Sequence, residues 1–267
     1  MANRRSHPPP EPAGGYLADA YWEKTGAVYR HYPTIRHRRR FLRGEIRRIL
    51  QGAGVAESSR QLRLFDYGCG DGQLLAHLAE ALDLSAGMLA GSDISATAIS
   101  TAKSRLAGGR FFVGELPEVA ETFDVIVCSE VIEHTPEYAV ILEWIRAHLE
   151  DDGVALITTQ SGPIHASDRY TGHTQHFTRS ELCSAVRAAG FRIESCRSWG
   201  LPWFTLQKYL TDLHFEGVRT GFLEGELSTL KRLVFDAAYL VFWMHDWIPS
   251  GPQLYLVARA EGSRPKP

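Results

Sequence analysis

The chain has 267 residues, 44% of them hydrophobic and 22% charged, with a formal net charge of −2. That is enough apolar material for one α/β domain with a sizeable core, and the near-neutral balance gives no electrostatic reason to expect nucleic acid or a charged membrane as a partner. The four cysteines (Cys69, Cys128, Cys183 and Cys196) lack zinc or disulfide-framework spacing and read as reduced thiols of a cytoplasmic protein.

The opening stretch MANRRSHPPPEPAGG has no apolar run of the kind a secretion signal needs, and its proline and glycine content predicts a disordered lead-in over 1–20. A helical cap is expected over 21–55, with Pro33 breaking it in two. From 56 to 260 the pattern alternates. Strands are predicted at 62–66, 88–94, 111–113, 123–128, 154–159, 191–196 and 254–260. Helices are predicted at 73–81, 96–106, 136–149 and 179–189. FDVIVC at 123–128 is a continuous apolar run suited to a strand buried on both faces. Such alternation predicts βαβ units with right-handed crossovers. The fold class expected is therefore α/β: a Rossmann-like, seven-stranded, mostly parallel sheet with helices on both faces. Residues 200–250, rich in aromatics, are too long for an ordinary connection. They read either as a helical lid over a substrate pocket or as packing against a partner in a homodimer. No run approaches the ~18–20 apolar residues that span a bilayer, and 261–267 reads as a tail.

Two signals carry chemistry. LFDYGCGDGQLL places Gly68, Gly70 and Gly72 between a predicted strand and helix, where a doubly wound sheet binds a nucleotide-like ligand. Asp93 ends the next predicted strand, placed to accept hydrogen bonds from ribose hydroxyls or to cap the helix that follows. The spacing is GxGxG rather than the dinucleotide pattern. Asp66, two residues ahead of the first glycine, would repel a pyrophosphate and suits a cationic ligand bearing an amino group.

This pattern resembles the class I S-adenosylmethionine-dependent methyltransferases, over 62–260. The resemblance implies S-adenosylmethionine as cofactor, held by Asp66, Gly68, Cys69, Gly70 and Gly72, by Asp93 with Ile94, by Glu115 after the third strand beside the adenine, and by Ser129, with Cys128, along the methionine portion. In FDVIVCSEVIEH, Glu130, Glu133 and His134 stand at i, i+3 and i+4, facing one way if a helix starts at Val131. TGHTQHFTRSEL adds His173 and His176. Two carboxylates and one or two imidazoles can bind a divalent cation such as Mg²⁺ or Mn²⁺; equally, the glutamate and histidine can simply anchor the turn. The EVIEH turn is similar to that of the ubiquinone-biosynthesis O-methyltransferases and the small-RNA 3′-terminal 2′-O-methyltransferases. That resemblance implies Glu130, Glu133, His134 and His173 as metal ligands. Without a metal, His134 or His173 is the general-base candidate, with Glu130 beside them. His176 reads as structural, and His165, Asp168 and Tyr170 as loosely placed substrate contacts.

Seven arginines between Arg36 and Arg48 form either a solvated face or a patch for an anionic ligand. In this family an N-terminal helix often closes over the cofactor, which would bring Tyr29 or Arg36 to its methionine carboxylate. The reading is thus of an S-adenosylmethionine-dependent methyltransferase acting on oxygen of a small-molecule acceptor. Its rivals are an RNA 3′-end methyltransferase, an N- or C-methyltransferase, and a non-catalytic partner subunit that binds cofactor.

Overall fold

The computed structural model describes residues 14–52 and 62–261; the expected lead-in up to residue 13 and the tail from 262 lie outside the described residues. Helix α1 (Gly14–Tyr29) and helix α2 (Pro33–Gly52) precede the sheet. Pro33 separates them as expected, opening α2 in a first turn where its missing N–H costs nothing. α1 begins at Gly14, within the stretch to residue 20 assigned to the lead-in by composition.

The alternating region follows in order as β1 (Leu64–Tyr67), α3 (Gln73–Leu82), β2 (Leu89–Asp93), α4 (Ala96–Arg105), β3 (Arg110–Val113), β4 (Phe123–Ser129), α5 (Tyr138–His148), β5 (Leu149–Gln160), α6 (Ala166–Thr171), α7 (Arg179–Ala188) and β6 (Phe191–Trp199). Helices α8 (Trp203–Leu213), α9 (Phe215–Val218) and α10 (Thr229–Phe242) then lead to β7 (Gln253–Ala260). The seven strands lie in the order β3-β2-β1-β4-β5-β7-β6. All pair in parallel except β7, which runs antiparallel to both β5 and β6. The sheet grows outward in both directions from β1 and β4, and the crevice at the carboxyl ends of these two strands is where an open α/β sheet binds its ligand.

Alternation along the strands divides the core. Phe65, Ile126, Cys128, Ala155 and Ile157 face α5 and α7, meeting Ile141, Ile145, Leu182 and Val186. Leu64, Val125, Val127, Val154 and Leu156 face the other way, meeting Leu75, Leu78 and Ile99 of α3 and α4. Leu42 and Ile46 of α2 belong to that second cluster, both essentially inaccessible. α2 is therefore a wall of the core, and both it and α1 of the expected 21–55 cap reach the sheet's ligand edge. The four cysteines are free and buried.

Four of the seven arginines of α2 meet carboxylates within the chain. Arg36 pairs with Asp236 at 2.6 Å and lies 3.8 Å over the Tyr239 ring; Arg40 pairs with Asp246 at 2.6 Å and lies 3.8 Å over Trp243. Arg38 pairs with Glu130 at 3.2 Å and Arg48 with Glu45 at 2.9 Å. Arg36 thereby fastens α2 to α10, Arg40 fastens it to the 3₁₀ turn that follows (Trp243–Trp247), and Arg38 fastens it to the end of β4, while Arg48–Glu45 lies within α2. Among the described residues, no helix is long and apolar enough to cross a membrane.

Candidate active site

The glycine loop turns from β1 into α3 at the crevice. Gly70 has φ +52° and a Cβ there would run into the indole of Trp22; Gly72 has φ +73° and a Cβ would stand 2.8 Å from that of Ala102. Only glycine fits both the left-handed backbone and the close approach. The Gly70 N–H donates to Asp93 Oδ2 at 2.9 Å, and the Ser95 N–H to Asp93 Oδ1 at 2.9 Å. Asp93 thus braces the loop and the start of α4 while keeping lone pairs on both oxygens for further donors.

A cavity of about 60 Å³ lies against this loop, lined by Trp22 and Tyr29 of α1, Arg38 and Arg39 of α2, and Asp66, Gly68, Cys69, Gly70 and Ser129 among the residues singled out by sequence. Gly72, Asp93, Ile94 and Glu115 do not line it: Gly72 turns into α3, Asp93 supports from behind, and Ile94 and Glu115 are exposed. The volume is far below the ~300 Å³ of an ordinary small-molecule pocket, because the Trp22 indole lies against Gly70. Asp19 fixes α1 there, accepting from the Ser95 hydroxyl and, at 3.1 Å, from the Thr97 N–H. Trp22 carried no sequence signal; its role depends on where α1 docks.

Asp66 is 2% exposed, and among the described residues no cation pairs with it. Burial, reinforced by the Asp93 carboxylate, holds its pKa well above the usual carboxylate range. A buried acid with no counter-ion, at the mouth of a glycine loop, is suited to a ligand that brings a positive charge. Arg38 contributes a buried Nε without a hydrogen-bond partner on the same cavity wall.

The EVIEH segment departs from a helix. Glu130 has φ +57° and only Ile132–His134 turns, as one 3₁₀ turn. The left-handed residue aims Glu130 away from Glu133 and His134. Its carboxylate is held by Arg38, by Thr158 Oγ1 at 3.2 Å and by Gln160 Nε2 at 3.2 Å. The expected four-ligand set is thereby reduced: Glu133, His134 and His173 converge with their ligand atoms within 4.8 Å of one another, and Glu130 is not among them. The loop that carries His173 is stitched to the turn, since Glu133 O accepts from the N–H groups of Thr174 at 2.9 Å and Gln175 at 3.2 Å.

Glu133 is fully buried; Oε2 accepts from Thr159 at 2.8 Å, and Oε1 has no partner. Burial pushes its carboxyl up to about 7. His173 is pushed down to about 2 by burial and by its neighbours His134 and His176, too low for a base near neutral pH and suited to an uncharged nitrogen ligand. Burial also lowers His134. His176 Nδ1 lies 3.0 Å from the Gly162 carbonyl, which can only accept, and His176 Nε2 lies 2.9 Å from His173 Nδ1. A neutral pair is satisfied when each ring donates from Nδ1, leaving the lone pair of His173 on Nε2. His176, which sequence left as a structural neighbour, therefore sets the tautomer of His173.

A second convergent trio, Asp168, His173 and His176, is a poor cation site. The His173–His176 hydrogen bond uses two of its nitrogens, and Lys208 Nζ already meets Asp168 Oδ1 at 2.6 Å. The expected substrate contacts are likewise engaged: His165 pairs with Asp212 at 2.7 Å and Tyr170 donates to Glu224 at 2.6 Å, both clasping the helices after β6.

Comparison with known proteins points to one family. A profile described as "Methyltransferase domain" matches residues 34–196. The chain is 27% identical over 150 residues to a ubiquinone biosynthesis O-methyltransferase of Rhodopseudomonas palustris (strain BisA53), covering 54% of this chain and 58% of the relative. It is 27% identical over 126 residues to a trans-aconitate 2-methyltransferase of Deinococcus radiodurans, covering 47% and 48%. The chain thus spans about half to three fifths of the length of these curated relatives. Among solved structures, a Galdieria sulphuraria protein assigned as a sarcosine dimethylglycine methyltransferase aligns with TM-score 0.56 at 17% identity, over 85% of this chain and 88% of the other; this likeness is one of fold.

Proposed function

The chain belongs to the methyltransferase-domain family, and from that premise we propose that it transfers the methyl group of S-adenosylmethionine to an oxygen of a small or medium-sized metabolite, assisted by a divalent cation such as Mg²⁺ or Mn²⁺. The observation that carries the cofactor half of this reading is Asp66: a buried carboxylate without a counter-ion, at the glycine loop, suits the ammonium group of the donor's methionine portion. Asp93 is suited to the ribose hydroxyls, and Arg38 and Tyr29 to the methionine carboxylate.

S-adenosylmethionine supplies a methyl group already activated by its sulfonium, so the chain's work is alignment and exclusion of water. Glu133, His134 and His173 would hold the cation, which lowers the pKa of a coordinated hydroxyl. The orphan Oε1 of Glu133 and the lone pair left on His173 Nε2 support that donor set. Ubiquinone biosynthesis O-methyltransferases recur among the relatives, which favours an oxygen acceptor and, with the aromatic helices after β6, an apolar or aromatic one. Glu130 serves by holding Arg38 in place rather than by ligation.

Calorimetric titration with S-adenosylhomocysteine, in EDTA and then in Mg²⁺ or Mn²⁺, tests both halves. We expect cofactor binding in either condition and saturable metal binding that Glu133→Gln lowers at least tenfold. Cofactor binding with no metal binding would remove the metal and leave proximity catalysis; absence of cofactor binding would overturn the proposal as a whole.

A further inference from the structure

Helices α8 and α10, separated in the chain by α9 and a π-helical turn, have inner side chains that are accounted for and outer side chains that are not. Phe204, Lys208 and Thr211 of α8, and Phe235 and Phe242 of α10, are buried. The start of α8 meets the 3₁₀ turn that follows α10, where the Trp203 N–H donates to His245 Nε2 at 3.1 Å. Outward, Leu206, Leu210 and Leu213 follow one another at helical spacing on α8, and Leu233, Leu240 and Trp247 do so along α10 and the 3₁₀ turn after it. Leu213 is 72% exposed, Leu240 68% and Trp247 82%.

We propose that the outer face of α8 and α10 is the contact between two copies of the chain, packed about a twofold axis. Three observations commit the face to a second copy. The first is exposure: thirteen large apolar side chains between Trp203 and Trp247 are exposed, Leu213, Leu230, Leu240 and Trp247 by two thirds or more, a density of apolar surface that marks interaction sites rather than ordinary monomer surface and that a stable interface of ~800 Å² per partner would cover. The second is charge. The one cation of α8, Lys208, faces inward onto Asp168, and the cations of α10, Lys231 and Arg232, sit in its first turn. A helix lying on an anionic lipid surface needs a row of basic side chains beside its apolar stripe, whereas a homodimer core is depleted of charge and enriched in Trp, Tyr and Met with leucine. The third is shape: two helical ridges side by side can pack against a rotated copy of themselves as a four-helix layer. The contact would also hold α8 against α6 from outside, clamping the Lys208–Asp168 pair beside the histidine loop. This inference does not depend on the reaction proposed above.

The test is the mass of the full chain by light scattering and sedimentation, at about 1 to about 50 µM. We expect twice the chain mass of 29.8 kDa, and association weakened at least 100-fold, in favour of monomer, in the Leu210→Glu/Leu240→Glu double variant. Both positions are exposed, so the variant should keep its circular dichroism and its affinity for S-adenosylhomocysteine. A wild-type monomer at the highest concentration, or a dimer that survives the double substitution with the fold intact, would overturn the proposal. So would wild-type monomer that floats with neutral or anionic phospholipid vesicles, which would assign the face to lipid.

Discussion

Asp66 is held back from ionising by burial and by the neighbouring Asp93 carboxylate. A ligand bringing an ammonium group favours the ionised form, so binding must release a proton wherever the empty site holds one. The affinity for S-adenosylhomocysteine is therefore expected to rise with pH over the range above the usual carboxylate value, and to fall on acidification. Asp66→Asn should flatten that slope and weaken binding by roughly 10- to 100-fold, the worth of a hydrogen bond to a charged group; calorimetry across about pH 5 to 8 reads both. His176 acts one step back from the proposed cation. His176→Phe removes the acceptor that fixes the His173 tautomer, and cation affinity should drop roughly 10- to 100-fold with thermal stability nearly kept. An unchanged cation affinity would return His176 to a purely structural role. Asp66 was legible in the sequence because its offset from the glycines is local. The coupling of His176 to His173 was not, since it depends on the Gly162 carbonyl, fourteen residues away, arriving on the other side of the ring.

At the scale of elements, strands and helices near the glycine loop follow the hydrophobic pattern closely, because β1, β2 and β4 are buried on both faces and their apolar runs have few alternatives. The EVIEH segment departs from its expected helix because Glu130 takes a left-handed conformation while its N–H donates to the Thr158 carbonyl at 2.9 Å, a demand made by β5 and not by local propensity. α1 is the element whose position matters most for function. It leaves about 60 Å³ beside the glycine loop, with Trp22 against Gly70, so a ligand group larger than that volume enters there only when Trp22 or α1 moves. Trp22→Ala should speed S-adenosylhomocysteine association several-fold in stopped-flow measurements, with a smaller effect on dissociation. Equal association rates would mean that α1 is already displaced in solution.

For the whole molecule, the helices between β6 and β7 are fastened to the rest by buried or half-buried charge. Lys208–Asp168 is the most enclosed of these pairs; burial lowers the lysine's pKa and the aspartate opposes that shift. Lys208→Met leaves Asp168 buried without its partner, a loss of about 3–5 kcal/mol for a pair of this kind. Hydrogen exchange should quicken in 203–213 and in the 165–176 loop while β1, β4 and β5 keep their protection; uniform protection would mean that the aromatic contacts alone hold these helices.

By itself the sequence determined the seven-stranded α/β plan and the glycine loop with Asp66 and Asp93, because each is written in local spacing: period-two or continuous apolar runs, glycines where the backbone must turn left-handed, acids at strand ends; the pairing of His134 with His173, far apart in the chain, was implied only by the family resemblance. The tertiary structure decided which candidates meet. It turned Glu130 onto Arg38, closed the arginine helix onto Asp236, Asp246 and the rings of Tyr239 and Trp243, and laid Trp22 on Gly70. These are contacts between side chains far apart in the chain, chosen by how helices dock on a finished sheet. A charge or an indole in the sequence names the kind of partner it needs, and only packing settles which one is within reach.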